Sequence, residues 1–363
     1  MLSNTAPGKP KFALNEGFHN ELRERVDGYF QSTGQHQRGS LRMYVKAAII
    51  FSWLAASYVL LVFVAQTWWH AVPLALSLVL AMAAVGFNIQ HDGGHQAFSD
   101  HRWINKLMAL SLDLLGASSY VWACKHNLIH HSYTNITGVD DDIDLGFVAR
   151  VTPHQKRLRI HRMQHLYLWA LYGFQALKWQ LVTDFWHIAT GRIGGHRLPR
   201  PQGWDLVTFI GGKVVFWSLA FVIPLLLHPF WVVLLFYAGI SFLLGVVISV
   251  VFQLAHCVEE AAFPLPRPDT ARMETDWAAH QVATTVDFAR GSRVVSWFVG
   301  GLNFQIEHHL FPRICHIHYR AISKLVEQTC TEFGMRYVAM DTVWGSLASH
   351  YRWLRRMGLP SPS

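Results

Sequence analysis

Three short stretches carry residues at spacings that suit metal ligation. His91 and His95 stand four apart in His91-Asp92-Gly93-Gly94-His95, and His126, His130 and His131 follow in His126-Asn127-Leu128-Ile129-His130-His131. Gln305, His308 and His309 lie within Asn303-Phe304-Gln305-Ile306-Glu307-His308-His309-Leu310-Phe311-Pro312. On a helix, positions three and four apart share a face, so each stretch aims its side chains to one side. One such pair means little in a chain with 22 histidines; three clusters in an apolar chain mean more. Imidazole suits iron, zinc, copper and nickel, and seven histidines exceed the four ligands of a structural zinc site, so a two-metal centre fits better.

The elements that position these clusters are set by composition. Of 363 residues, 52% are hydrophobic and only 15% charged, which points to an integral membrane protein. Fifteen Trp and 23 Phe suit a chain that meets a lipid interface. The net charge of +8 is spread along the polar segments rather than gathered in one stripe, so it speaks for membrane topology and against nucleic acid. Cys124, Cys257, Cys315 and Cys330 are isolated, which excludes a disulfide framework or an iron–sulfur spacing. The polar stretch through Ser40 reads as no cleavable signal, so the first span directs insertion.

Taken in order, residues 1–45 read as a cytosolic arm with a short amphipathic helix from Glu16 to Phe30. Nearly unbroken apolar runs at about 47–66, 71–89, 206–227 and 230–255 each have roughly the 20 residues of a bilayer span. Tight connectors make two hairpins of them, and by parity every histidine cluster falls on one face. The connectors hold no Lys or Arg, so the positive-inside rule makes that face cytoplasmic. Residues 90–205 form a cytoplasmic insert within the membrane region 46–255. Its two apolar segments, Trp103 to Trp122 and His165 to Ile188, carry too many polar residues for comfortable spans and read as interfacial helices. Residues 256–363 form a cytoplasmic cap with a helix near Tyr319 to Phe333. The fold class is thus an all-α membrane protein: four transmembrane helices in two hairpins beneath a helical cap that carries the histidines.

The three stretches resemble the histidine boxes of the membrane fatty acid desaturases, H-x-x-x-H, H-x-x-x-H-H and H/Q-x-x-H-H, in order, spacing and position relative to the spans. The resemblance runs from the first hairpin to beyond His318, with one functional domain over about 45–340. The glutamine that opens the third box looks like the front-end branch, which works between an existing double bond and the carboxyl end. The resemblance implies a non-haem di-iron centre that activates O2 and removes two hydrogens from an unactivated acyl C–C pair, chemistry beyond any side chain alone. It implies His91, His95, His126, His130, His131, His308 and His309 as catalytic ligands, and His256, just after the fourth span, as a further one. Gln305 replaces a histidine there, and direct ligation, ligation through water and no ligation all stay open. The implied substrate is an acyl chain on CoA, a carrier protein or a lipid.

Other residues have plainer readings. One or two carboxylates of the run Asp140-Asp141-Asp142-Ile143-Asp144, with Asp141 the named candidate, are expected to accept the free N–H of a ligating histidine, as are Asp92 and Glu307. His280 reads as structural, His316 and His318 as surface, and His161 and His165 as facing lipid phosphate or solvent. The sequon Asn135-Ile136-Thr137 lies on the cytoplasmic side and is discounted. The chain carries no dinucleotide fingerprint, no ferredoxin cysteines and no His-Pro-Gly-Gly, so electrons must come from a separate ferredoxin or cytochrome b5. Lys125, Arg313 and Arg320 near the boxes are candidates to dock an acidic donor. A hydroxylase or ketolase on the same scaffold is the alternative reaction. A haem protein or transporter fits less well, because the histidines gather at span ends rather than within the spans.

Overall fold

The computed structural model describes residues 9–14 and 17–360. Glu16, where the sequence places the start of the first helix, lies outside them. Helix α1 runs from Phe18 to Thr33. Four helices are long and apolar enough to cross a membrane: α2 (Leu41–Val64), α3 (Trp68–Gly94), α7 (Trp204–Leu225) and α8 (Phe230–His256). Between α3 and α7 lie α4 (Arg102–Leu114), α5 (Ser119–Tyr133) and a helical run, α6, over residues 164–190. The C-terminal part holds α9 (Trp277–Thr284), α10 (Arg293–Phe298), α11 (Gln305–Leu310), α12 (Tyr319–Glu332) and α13 (Val343–Gly358). Among the described residues, strand structure comprises two short pairs, β1 (Arg192–Ile193) with β2 (His196–Arg197), antiparallel, and β3 (Asp287–Phe288) with β4 (Ala339–Met340), parallel, and one isolated bridge between Lys11 and Arg272.

Among the four long helices, α3 is the inner one: 56% of its apolar window is buried within the protein, against 28, 17 and 22% for α2, α7 and α8. Both α2 and α8 pack on it, and its small residues Ala83 and Ala84 are fully buried in the core they share, which suits helices that cannot rely on a hydrophobic drive in lipid. The helix that carries the first histidine cluster is therefore the most enclosed of the four, with Val72, Leu76 and Leu80 left on its one exposed face. Helices α6 and α8 meet at bare backbone, where a Cβ on Gly245 would collide with the carbonyl of Gly173.

The apolar segment expected from Trp103 to Trp122 is not one helix. It breaks after α4, and α5 leaves at 113°, starting at Ser119, whose neighbour Ser118 caps it by accepting from the Val121 N–H. The corner is fastened by buried charge: Lys213 of α7 donates to the Gly116 carbonyl and to Asp184 of α6, both at 2.7 Å, and Asp184 also accepts the Ser118 N–H at 2.7 Å. This fixes where α5, and with it the second cluster, begins.

Helix α1 braces the cap. Phe18, Leu22, Val26 and Phe30 recur every four residues, giving one apolar stripe that packs on α12 in a cluster with Ile322, Val326 and Cys330. Ile306 and Leu310 of α11 belong to the same cluster, and this short helix, which could not persist alone, is seated by α9 and α12. Helix α13 closes the other flank through Trp353, Leu354 and Met357, packed on Cys257 and Val258 just after α8.

Candidate metal centre

Eight buried histidines converge from four helices. The ring nitrogens of His91, His95, His126 and His308 lie within 4.8 Å of one another, and so do those of His130, His256 and His309. His131 groups with His308 and His309, and its Nε2 lies 3.2 Å from Nε2 of His126. His91 ends α3, the second cluster lies in α5, His256 ends α8 and the third pair lies in α11.

The backbone explains how rings at these spacings meet. Val85–Gln90, immediately before His91, and Ala123–His130 are wound with i→i+5 hydrogen bonds, a winding found mostly as short bulges at functional sites. Residues five apart then align, so His126 faces His131, while His130 turns to His256 and His309. The i, i+4 spacing also holds, with the His126 and His130 rings stacked at 5.2 Å, and the wider winding adds His131 to the face of His126. Gly93 and Gly94 leave room for this packing: a Cβ on Gly93 would meet backbone atoms of Asn105 and Ala109 at 2.9 and 2.7 Å, and one on Gly94 would enter the Trp122 ring. Trp122 stacks on His126, with ring centroids 4.6 Å apart.

The rings fit metal ions on their own chemistry. His95 Nε2, His130 Nε2, His131 Nδ1, His256 Nδ1, His308 Nε2 and His309 Nε2 are buried without a hydrogen-bond partner, a cost that native interiors avoid. Burial and the neighbouring rings hold His308 and His309 well below the ordinary imidazole pKa, so both are neutral and offer lone pairs. Their other nitrogens are engaged. His130 Nδ1 donates to Asp140 at 2.9 Å, His309 Nδ1 to the Gln281 side-chain oxygen at 2.8 Å, and His308 Nδ1 lies 3.2 Å from the Tyr319 hydroxyl. These contacts leave each Nε2 for the shared centre, the arrangement that fixes metal-ligating histidines. The clusters are thus compatible with a non-haem di-iron site.

The carboxylates depart from expectation. Within the acidic run, two carboxylates meet the rings, Asp140 on His130 Nδ1 and Asp142 beside His126 and His130 Nδ1 at 3.7 and 3.8 Å; Asp141, the one named, instead pairs with Lys125 at 2.9 Å. Lys125 also pairs with Asp142 at 3.1 Å and is largely buried, so it offers no docking surface. Asp92 accepts from Nδ1 of His316 at 2.8 Å, not from a box histidine. Glu307 points away from the rings toward Tyr337, whose hydroxyl lies 2.9 Å from it and 2.5 Å from Asp287. A phenol has one proton to give; with Tyr337 donating to Asp287, Glu307 supplies the other. Burial beside Asp287 keeps the Glu307 carboxyl protonated, well above its usual range, and pushes Asp287 up to about 6.

His316 and His318 are buried rather than on the surface, and His316 also takes Lys46 Nζ at 2.8 Å. His161 is likewise buried and bonds the Phe147 carbonyl. His280 faces the Thr134 carbonyl and stands outside the cluster. Gln305 Nε2 sits 2.9 Å from His256 Nε2. Asn135 is fully buried in a left-handed conformation, its amide bonded to the carbonyls of His256, Ala262 and Thr284, so the sequon is inaccessible. Thr134, Asn135, Gln281 and Tyr319 escape sequence reasoning because their partners lie far along the chain. Asp140 had a signal, its place in the acidic run.

Two of the eight rings, His91 and His126, border a cavity of about 1120 Å³, larger than the roughly 300–1,000 Å³ of ordinary small-molecule pockets. Its wall includes His91, His126 and Gln305 together with the apolar Met82, Leu115 and Leu244 and the charged Lys125, Asp141 and Arg192. A smaller cavity of about 390 Å³ behind Asp140 touches none of the eight histidines.

A family model described as fatty acid desaturase matches residues 66–340. The chain is 36% identical over 360 residues to an sn-1 linoleoyl-lipid 6-desaturase of Arthrospira platensis, covering 99% of this chain and 97% of that one. It is 36% identical over 352 residues to an enzyme of the same name from Synechocystis sp., covering 97% and 98%. An acyl-lipid (8-3)-desaturase of Physcomitrium patens is 39% identical over 355 residues, covering 96% of this chain and 73% of the relative.

Proposed function

The chain belongs to the fatty acid desaturase family, and from that premise we propose which bond it oxidises and which residues do the work. It is an oxygen-dependent di-iron acyl desaturase, an oxidoreductase of lipid metabolism. The substrate is a linoleoyl-type chain held in a membrane lipid, and the new double bond forms on the carboxyl side of the existing one. The relatives that match nearly end to end carry that activity in their names, and Gln305 opens the third box in the front-end manner. The net change converts an acyl CH2–CH2 pair and O2, with two electrons and two protons, into CH=CH and two waters.

In this reading His91, His95, His126 and His308 would hold one iron and His130, His256 and His309 the other, and His131, which groups with His308 and His309, would complete the set. The irons supply the O2 activation that side chains cannot. Asp140, Gln281 and Tyr319 hold the rings in the tautomer that leaves Nε2 free. The cavity admits the acyl chain past His91 and His126 and keeps bulk water from the reacting carbons. The observation that carries the proposal is the set of unpartnered buried ring nitrogens beside a cavity that reaches among the apolar helices.

The organisation expected from sequence belongs to the same proposal: an arm over 1–45, two membrane hairpins within 46–255, an insert over 90–205 and a cap over 256–363. The connectors 65–67 and 226–229 contain no Lys or Arg, which supports a cytoplasmic position for the histidines. A separate acidic ferredoxin or cytochrome b5 docks on cap arginines such as Arg313 and Arg320. The test is the fatty-acid profile of a host that expresses the chain and is fed a diunsaturated acid, beside a His308→Ala control. A double bond on the carboxyl side, absent from the control, is expected. A hydroxylated or keto product would refute the reaction type.

A further inference from the structure

Two glutamines in the cavity wall have no part in holding metal. Gln90 and Gln253 both line the cavity, and each is 3% exposed. Gln90 Nε2 and Gln253 Oε1 are buried without a hydrogen-bond partner among the described residues. Native interiors seldom leave such groups unmet, because each has lost its contact with water and gained nothing in return. Gln180 and Gln305, also in the wall, differ. Gln180 donates to the Leu115 carbonyl and accepts from Tyr237 and Ser241, and Gln305 meets His256.

Their places in the chain put both amides near the proposed iron ligands. Gln90 directly precedes His91 at the end of α3, and Gln253 stands three residues before His256 on α8, on the same helical face. A third unmet group in the wall, Thr183 Oγ1, is set apart on α6, next to Asp184 at the corner fastened by Lys213.

Much of the wall is hydrocarbon, with Met82, Phe87, Leu115, Leu244, Ile248 and Val251 in it. An acyl chain offers amides in such a wall one polar group, the ester carbonyl, which accepts hydrogen bonds and donates none. The two ends of a primary amide have the same shape, so a half-turn brings either NH2 to the cavity. The length of the substrate agrees. In the desaturase reading above, the reacting carbons of a linoleoyl chain lie between the carbonyl and the double bond at the ninth carbon. About six C–C bonds of roughly 1.5 Å separate them from the carbonyl at most, a reach of about 9 Å. Groups that hold the carbonyl must therefore stand close to the ligating rings, as Gln90 and Gln253 do.

We propose that Gln90 and Gln253 hydrogen-bond the ester carbonyl of the acyl chain and so fix, counting from the carboxyl end, which carbons reach the irons. They are specificity-determining residues and not iron ligands. This rests on the desaturase reading above and adds the groups that set its register.

The experiment uses purified, iron-loaded full chain in nanodiscs with its electron donor. Two lipids are compared, a linoleoyl glycerolipid and the matching ether lipid, in which CH2 replaces the carbonyl. Wild type is expected to consume the ester with a kcat/KM about tenfold or more above that of the ether, and to place the new bond at one position. Gln90→Met and Gln253→Met keep the side-chain length and remove the amide. Each is expected to narrow the ester preference to under about threefold and to spread the product over neighbouring positions, with iron content unchanged. Thr183→Val is expected to keep both the preference and the single position. Equal consumption of ester and ether by wild type, an undiminished preference in either glutamine variant, or loss of iron from either would overturn the proposal. The preference is read as substrate consumed, whatever the product, so a hydroxylated product from wild type counts against the desaturase reading and not against the carbonyl contact.

Discussion

Replacing Asp140 by Asn isolates the hold that protein places on one iron-binding ring. Every contact of the Asp140 carboxylate is an acceptance: Oδ2 takes His130 Nδ1 and the Asn135 N–H, both at 2.9 Å, and Oδ1 takes the Asp142 N–H at 3.0 Å. An asparagine has the same shape but must turn its NH2 on one of these donors, whichever way the amide lies. Asp140 is 1% exposed and His130 fully buried, so no water relieves the clash. Leaving one buried donor unmet costs about 1–3 kcal/mol. If that cost falls on the loaded state, at about 1.4 kcal/mol per decade it corresponds to roughly a 5- to 150-fold loss of affinity for one ion, in line with the 10- to 100-fold effects of changing groups behind metal ligands. The assay is iron per chain by mass spectrometry after equilibration with graded chelator. Wild type is expected to hold two ions, and Asp140→Asn to release one of them at a chelator concentration at least fivefold lower. Superimposable release curves would refute the claim that Asp140 orients His130 for ligation.

Other outcomes follow from the same coordinates. Gly94→Ala, which drives a methyl into Trp122, is expected to lower iron content and to cost about 1–3 kcal/mol by overpacking; a variant that retains iron and activity would remove Trp122 from the account. Chelating the metal is expected to lower the melting temperature by several degrees, since ions that bind only the folded state stabilise it, and an unchanged melting temperature would contradict the unpartnered ring nitrogens. Lys213→Met leaves Asp184 buried without its partner, at an expected cost of about 3–5 kcal/mol; the double variant Lys213→Met with Asp184→Leu is expected to recover part of it, as urea titration can check. His350 is kept neutral by burial, down to about 4, with its Nε2 accepting from Tyr172 and its Nδ1 donating to the Cys257 carbonyl. The unfolded chain binds this proton below about 6.5, so stability is expected to fall as pH drops from 6.5 toward 4, by up to about 3 kcal/mol. His350→Gln is expected to flatten that part of the pH profile, and an equal slope in both proteins would discount His350.

Much of the plan was legible from local sequence. Four apolar runs of span length became four long helices, because a bilayer demands a continuous apolar stretch and little else hides that signal. The eight candidate ligands were named by spacing and resemblance. The site's support was less legible. The i, i+4 contact of His126 with His130 was legible, but the contact of His126 with His131 depends on a local i→i+5 winding that spacing rules for an α-helix do not give. The break between α4 and α5 depends on Lys213 and Asp184, drawn from two other helices.

By itself, then, the sequence determined the kinds of groups this protein brings to its chemistry, imidazoles in three boxes and apolar helices beneath them, because composition and periodicity are local properties. Only the tertiary structure decided which carboxylate meets which ring. Asp140 rather than Asp141 reaches His130, Asp92 serves His316, and Lys125 is spent within the acidic run. Charges so close in sequence are distinguished by a few ångströms of packing, and that packing is set by elements such as α1 and α13 that lie far from them along the chain.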